Sequence, residues 1–307
     1  MEFIRNLSRF QYQGCIATIG NFDGVHLGHQ TVLQQLVNKG KDLQLPTVVI
    51  IFEPQPQEFF APNKVPARLT RLREKLVAMH NSGVERVLCL HFNAKMAAIS
   101  AEDFIQKILV KSLGVRHLVV GDDFCFGRKR QGNFADLRQA GKQYGFTIES
   151  QDTFILGNER VSSTRIRQAL VQGNMQGARE LLGRPYTLCG RVCYGEQRGR
   201  TIGFPTANIF LQRRVSPLNG VFAAKLHGIT EKPLTGVANL GTRPTFDGHQ
   251  LVLEVHLFDF KKTIYGRYVE VEFVRKLREE QRFTSFDALK KQIEIDVQLA
   301  RAIFNVC

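Results

Sequence analysis

Two histidines three residues apart, His26 and His29, lie in the stretch Ile19-Gly20-Asn21-Phe22-Asp23-Gly24-Val25-His26-Leu27-Gly28-His29. On an incipient helix, residues three apart share a face, so both imidazoles can reach one polyanion. Gly28 between them leaves the backbone open to close approach by a nucleotide. The stretch follows an apolar run, Cys15 to Ile19, and precedes a helical pattern from about Gln30. A strand opening onto a helix there presents unpaired N–H groups and the positive end of a helix dipole, which suits phosphate. Gly20, Asn21 and Phe22 at the turn join His26, Gly28 and His29 as phosphate contacts. Isolated histidines are usually packing or surface residues; it is the position at a first strand-to-helix turn that favours phosphate.

A second candidate is Arg160-Val161-Ser162-Ser163-Thr164-Arg165-Ile166-Arg167. Ser162, Ser163 and Thr164 before an apolar-periodic run also form an ordinary N-cap, but Arg167 lies one turn after Ser163. Cap amides and a guanidinium can therefore grip one phosphate together. Gly121-Asp122-Asp123-Phe124-Cys125-Phe126-Gly127 ends another apolar run. Asp123 is either a solvated turn residue or a contact for a polyol or Mg²⁺, and Phe126 is either core or a platform for an aromatic ring. Further on, Gly199-Arg200-Thr201-Ile202-Gly203-Phe204-Pro205-Thr206-Ala207-Asn208 leads from a glycine-rich loop into a strand. Thr206 and Asn208, two apart, point to one face and offer a hard cation two oxygens. Glu254, inside Leu251 to Phe258, is a carboxylate in an apolar strand, so it is either satisfied by a partner or poised as a base. Neither a dinucleotide fingerprint nor a Walker loop occurs.

The elements that must carry these groups follow from the pattern. Apolar runs at Cys15–Ile19, Thr47–Phe52, Arg86–Leu90, His117–Val120 and Thr147–Ser150 alternate with helical stretches such as Leu69–His80 and Ala101–Leu113, the βαβ rhythm of a parallel sheet. A helical run from Ser163 to Leu182, broken near Gly173-Asn174, ends at Gly183-Arg184-Pro185, where we place the domain boundary. After it come six extended runs without helices between them, near residues 187–194, 206–210, 221–226, 234–240, 251–258 and 268–273, which predict an antiparallel barrel or sandwich. Phe286 to Phe304, with Leu289, Ile293, Ile295, Val297, Leu299 and Ile303, predicts an amphipathic helix packed on it. The fold class is thus α/β, a Rossmann-like domain (1–183) followed by a β-barrel domain (184–307) with a C-terminal helix.

Composition narrows the partners. The 307 residues carry 42 Lys and Arg against 28 Asp and Glu, a net charge of +14, which admits nucleic acid, a membrane surface or small anionic substrates. The part up to Gly183 has 23 basic against 16 acidic residues and the rest 19 against 12, so the charge forms no tail. Phosphate pockets account for it at least as well as a nucleic-acid stripe. Six cysteines without a C-x-x-C pair read as reduced thiols, and no apolar run reaches the roughly 18 residues of a membrane span. The expectation is a cytoplasmic protein with no membrane or nucleic-acid partner, a monomer or weak homo-oligomer.

The His26-x-Gly28-His29 element resembles the signature of the HIGH-type nucleotidyltransferase superfamily, and the Arg160–Arg167 segment resembles the S-S-T-x-x-R element of its adenylyltransferase branch. Gly203–Asn208 (G-F-P-T-A-N), Ala238–Phe246 (A-N-L-G-T-R-P-T-F) and Leu253–His256 (L-E-V-H) resemble riboflavin kinase. In this order, along nearly the whole chain, they resemble the bifunctional bacterial riboflavin kinase/FAD synthetases. That resemblance implies that the barrel transfers the γ-phosphate of ATP to riboflavin, giving FMN. Glu254 would be the base, Thr206 and Asn208 the Mg²⁺ ligands, and the 195–203 loop with Arg200 and Gly203 the phosphate cover. It implies that the first domain joins FMN to a second ATP, giving FAD and pyrophosphate. There His26, His29 and Arg167 would stabilise charge, and Asp123 and Phe126 would contact flavin. Cys125 departs from the basic residue that many relatives carry in that loop. Rival readings are a nucleotidyltransferase with an RNA-binding barrel, disfavoured by the absence of a basic strip interleaved with aromatics, and a non-catalytic flavin carrier, which has no use for Glu254, His26 and His29 together.

Overall fold

In the computed structural model the described residues are 1–5, 7, 14–121, 123–151, 153–195, 203–213, 215–245 and 248–306. They divide into two compact units, Met1–Pro66 with Thr70–Ser162, and Ala67–Leu69 with Ser163–Cys307.

The first unit is built on six parallel strands, β1 (Glu2–Ile4), β2 (Cys15–Ile19), β3 (Thr47–Glu53), β4 (Arg86–His91), β5 (Val115–Gly121) and β6 (Thr147–Gln151), in the order β1-β4-β3-β2-β5-β6. The inner strands are buried on both faces, as a helix-covered parallel sheet requires. On one face Ile16, Val49, Ile51 and Val87 pack with Leu33, Leu36 and Met79; on the other Ala17, Ile50, Leu88 and Leu118 pack with Phe104, Ile108 and Leu137. The sequence pattern missed β1, three residues paired to β4 at the sheet edge, because so short a strand shows no periodicity. The stretch read as one helix from Ala101 is α-helical only to Asp103 and a π-helix over Phe104–Ser112, although Ser100 caps it as expected, accepting from Asp103 N at 3.0 Å. The helix expected from Leu69 starts at Leu72, because Thr70 is committed elsewhere: its N–H and hydroxyl donate to Asp23 Oδ1 at 3.0 and 3.3 Å.

In the second unit two short helices, Ser163–Val171 and Met175–Leu182, break where glycine and asparagine predicted, and Gly183 ends the second with φ 71°. Six antiparallel strands follow, after the short hairpin β7 (Ile155–Leu156) and β8 (Glu159–Arg160) of the first unit: β9 (Thr187–Cys193), β10 (Thr206–Phe210), β11 (Gly220–His227), β12 (Leu234–Thr245), β13 (Gly248–Leu257) and β14 (Tyr268–Arg278). They close into a barrel in the order β10-β13-β12-β11-β14-β9, so of the two architectures expected the barrel is realised. The C-terminal helix spans Phe286–Phe304 as read. Its apolar residues do not all face inward: Ile295 and Leu299 are half exposed, since 3.6 residues per turn puts them opposite the Leu289, Ile293 and Val297 stripe. Among the described residues five cysteines are thiols outside any disulfide, and burial pushes the Cys15 thiol up to about 12. No described helix is long and apolar enough to cross a membrane.

Candidate functional site

In the first unit His26 is the N-cap of the Leu27–Leu43 helix, and its Nδ1 accepts from His29 N at 3.3 Å. That bond leaves the proton on Nε2, so His26 is a neutral donor. The two imidazoles stack at 3.7 Å with an interplanar angle of 16°, and Phe22 packs on His29 at 5.0 Å. Thus the H-x-G-H spacing does place both rings side by side at a helix N-terminus, though through a cap rather than a shared helical face. Gly20 and Asn21 from the same loop line a cavity of about 720 Å³. Its walls are aromatic: Phe52 and Phe60 each meet Phe92 edge to face at 5.7 Å, and Phe104 and Phe124 line it too. Its charged rim is Lys64, Asp123, Lys129 and Arg130. Asp123 pairs with Arg160 at 3.3 Å. Phe126 combines both readings offered for it, being 6% exposed in the core against Phe104 and still part of the cavity wall. Phe60 and Phe92 are not singled out by the sequence, because nothing in their spacing marks them as neighbours, and Arg160 enters there only as the first residue of the Arg160–Arg167 segment. Ser162 ends the first unit, while Ser163, Thr164 and Arg167 open the second, where Arg167 Nε donates to Ala67 O at 2.6 Å.

In the second unit the register across three strands gathers the polar groups. Asn208 on β10 stands opposite Glu254 on β13, and Glu254 stands opposite Asn239 on β12. Directly opposed residues share a face with Cβ atoms about 5 Å apart, so a carboxylate lies between two carboxamides. Thr206, two residues before Asn208, lies opposite His256 on that face. The interior of the barrel takes the alternate residues Leu253, Val255 and Leu257, so Glu254 is not a buried carboxylate in an apolar core, as its apolar neighbours implied; it is half-buried on the outer face. Gly195 leaves room for Asn208, since a Cβ there would fall 2.3 Å from its carboxamide. Glu254, Thr206, Asn239 and His256 line a cavity of about 520 Å³, closed on the far side by Phe286, Leu289 and Ile293 of the C-terminal helix. Arg278 on β14 donates to Asp296 on that helix from Nε at 3.0 Å and from its terminal nitrogen at 2.8 Å, holding the wall in place. His256 Nδ1 bonds Pro205 O at 2.9 Å, and burial pulls its pKa below the ordinary value. Thr206 also borders a second cavity, of about 310 Å³, lined by Lys261, Lys262 and Tyr265. Gly203 is exposed with φ 89°, and Arg200 lies outside the described residues.

Residues 9–165 match the family model described as FAD synthetase, and residues 182–304 match the one described as riboflavin kinase. Over 303 residues the chain is 52% identical to the bifunctional riboflavin kinase/FMN adenylyltransferase of Escherichia coli K12, covering 99% of this chain and 97% of that one. The chain belongs to the bifunctional riboflavin kinase/FMN adenylyltransferase family. The protein of the same description from Haemophilus influenzae is 51% identical, across 99% of this chain and all of its own length. A crystal structure described as a macrolide-efflux protein from Streptococcus pneumoniae superposes with a TM-score of 0.83 at 31% identity, over 97% of this chain and 98% of that one, which shows the shared fold. Within this family frame the 720 Å³ cavity falls in the first matched segment, and the 520 and 310 Å³ cavities fall in the second.

Proposed function

We propose that the barrel phosphorylates riboflavin with ATP to FMN, and that the N-terminal unit adenylylates FMN with a second ATP to FAD and pyrophosphate. The observation that carries the kinase reading is Thr206, a residue common to both barrel cavities. The larger cavity, which holds Glu254 and has apolar walls, suits the flavin ring; the smaller, with Lys261 and Lys262, suits a polyphosphate. Phosphoryl transfer depends on positioning and charge stabilisation, so the reacting atoms belong at the shared residue. Glu254 takes the proton of the riboflavin 5′-hydroxyl as its oxygen bonds to the γ-phosphorus and ADP leaves. The Thr206 hydroxyl and Asn208 carboxamide, hard oxygen donors on one face beside a carboxylate, fit Mg²⁺. Bound there with ATP, Mg²⁺ would neutralise phosphate charge.

Adenylyl transfer needs no base, because the FMN phosphate is already an anion. One of its oxygens bonds to the α-phosphorus, and the bond to the β-phosphate breaks. The aromatic 720 Å³ cavity takes the flavin, and Asp123 and Phe126 contact it. Gly20, Asn21, Phe22, Gly28, the neutral donor His26 and His29 take phosphate, as do Ser162, Ser163, Thr164 and Arg167 on the family resemblance. Arg200 and Gly203 cover phosphate in the kinase. We place the functional boundary at Gly183, with 1–183 as the adenylyltransferase and 184–307 as the kinase, and assign the +14 charge to substrate phosphates. The partners are then small molecules, without nucleic acid, and the protein works in the cytoplasm as a monomer or weak homo-oligomer.

Chromatography of the purified chain incubated with riboflavin, ATP and Mg²⁺ should show FMN and then FAD; with Mg²⁺ removed by chelation, neither. Absence of FMN in complete mixtures would overturn the kinase assignment.

A further inference from the structure

The loop that carries the histidines is held in a backbone that most residues avoid. Phe22 and Val25 have φ of 47° and 41°, with Gly24 at 86° between them. A positive φ at a β-branched valine is an outlier, and such conformations persist only where the surroundings over-determine them. Those surroundings are polar and buried. Lys75, on the helix Leu72–Asn81, is 0% exposed, and its Nζ donates to the Asn21 carbonyl. Asp23 is 3% exposed and accepts from the Thr70 N–H and hydroxyl, while Gly24 N donates to Thr70 Oγ1 at 2.9 Å. Backbone and side-chain groups of Asn21, Asp23 and Gly24 are thus each tied to the segment 70–75. A lysine is almost never fully buried unless it is used, because desolvating an ammonium is costly. Here it donates to the Asn21 carbonyl. In a trans peptide the C=O and N–H point oppositely, so turning the Asn21 carbonyl to Lys75 turns the Phe22 N–H away from it, and the charge strengthens that N–H as a donor.

We propose that Lys75, with Thr70 and Asp23, is a positioning clamp for adenylyl transfer: it fixes the left-handed loop that presents His26, His29 and the Gly20–Phe22 backbone to the ATP phosphates. The proposal rests on the reading of that loop as the phosphate site. Lys75 touches neither substrate; it acts through the loop.

The test uses the full chain. Lys75→Met keeps the stem and deletes the ammonium. FMN-to-FAD kcat should fall by about 10²-fold, the order of loss that follows an ångström-scale misplacement. KM for FMN should stay within about twofold, because Lys75, Thr70 and Asp23 do not themselves line the flavin cavity and bear on it through the Asn21 backbone. Riboflavin phosphorylation, measured in the same sample, should be unchanged and serves as the internal standard. A lysine with a merely structural role would lower the melting temperature and the folded fraction while leaving kcat per folded molecule intact, and that result overturns the proposal. Should Lys75→Met fail to fold, Thr70→Val decides: it removes only the hydroxyl bridging Asp23 and Gly24, and an unchanged kcat in folded Thr70→Val overturns the clamp. His29→Ala is run alongside. If it too leaves the FAD rate unchanged, the phosphate-site reading itself has failed; if His29→Ala slows FAD synthesis and the clamp variants do not, only the clamp has.

Discussion

Replacing Asp296 by alanine removes the partner that ties the C-terminal helix to the barrel. Its side chain is 3% exposed and accepts from Arg278 Nε, from the Arg278 terminal nitrogen and from Gln292 Nε2 at 2.8–3.0 Å. Breaking a buried ion pair from one side costs about 3–5 kcal/mol, because the remaining charge stays desolvated. The low end applies. Arg278 keeps a bond to Glu279 O at 3.0 Å and a contact with the Phe283 ring, and 20% of its side chain reaches solvent. For a unit of this size each kcal/mol moves the melting point by roughly 2–4 °C, so about 3 kcal/mol predicts a drop near 10 °C. The helix also walls the larger barrel cavity, so KM for riboflavin should rise. Calorimetry of the full chain, with loss of kinase activity on heating to identify the barrel transition, measures both. Arg278→Met combined with Asp296→Leu should recover most of the stability, since no charge is then stranded. A drop under about 1 kcal/mol, or a double variant no better than Asp296→Ala, would refute the reasoning.

Glu254→Gln keeps the cross-strand contacts with Asn208 and Asn239 but removes the base, so FMN formation should fall by about 10²-fold or more while FAD formation from added FMN persists; equal loss of both in an activity assay would make Glu254 structural. Residues 184–307 expressed alone should make FMN, but at lower thermal stability than a fragment beginning at Ser163, because the Met175–Leu182 helix packs on β14; a folded 184–307 fragment that binds riboflavin without phosphorylating it would end the independent-domain reading. Burial holds the pKa of His117 and of His256 below the ordinary histidine value. The unfolded chain therefore binds more protons, and the stability these groups contribute is complete above about pH 6.5 and lost as pH falls toward their depressed values. Denaturation midpoints should drop between about pH 7.5 and 5.5, with His256→Phe reducing the slope for the barrel transition; greater stability on acidification would contradict the assigned burial.

Periodicity made the parallel core strands and the Phe286–Phe304 helix legible, and turn chemistry located the break at Gly173-Asn174. What stayed hidden was pairing. Glu254 and Asn208 are 46 residues apart, and their meeting depends on the β10–β13 register, which no local pattern encodes. The alternation of Leu253, Glu254 and Val255 was readable, yet which face was the inside became clear only once the barrel closed. The aromatic cavity was hidden for the same reason: Phe52 lies in β3, Phe60 ends the short helix Pro56–Phe60 and Phe92 follows β4. Lys75 gave no signal at all, since a lysine in an ordinary amphipathic helix reads as solvated.

A sheet that ends invites another to continue it, and the two units meet this hazard differently. The closed barrel offers no edge. The parallel sheet has two, and both are poor templates for association. β6 carries Thr147, Glu149, Ser150 and Gln151 with much of their surface in water, and β1 is only three residues long, with Glu2 engaged by Arg86 at 3.2 Å. Behind β1 lies β4, whose Val87, Leu88, Cys89 and Leu90 are buried. Glu2–Ile4 thus stand between an apolar strand and its self-association, so deleting or replacing these three residues bears on the solubility of the whole protein.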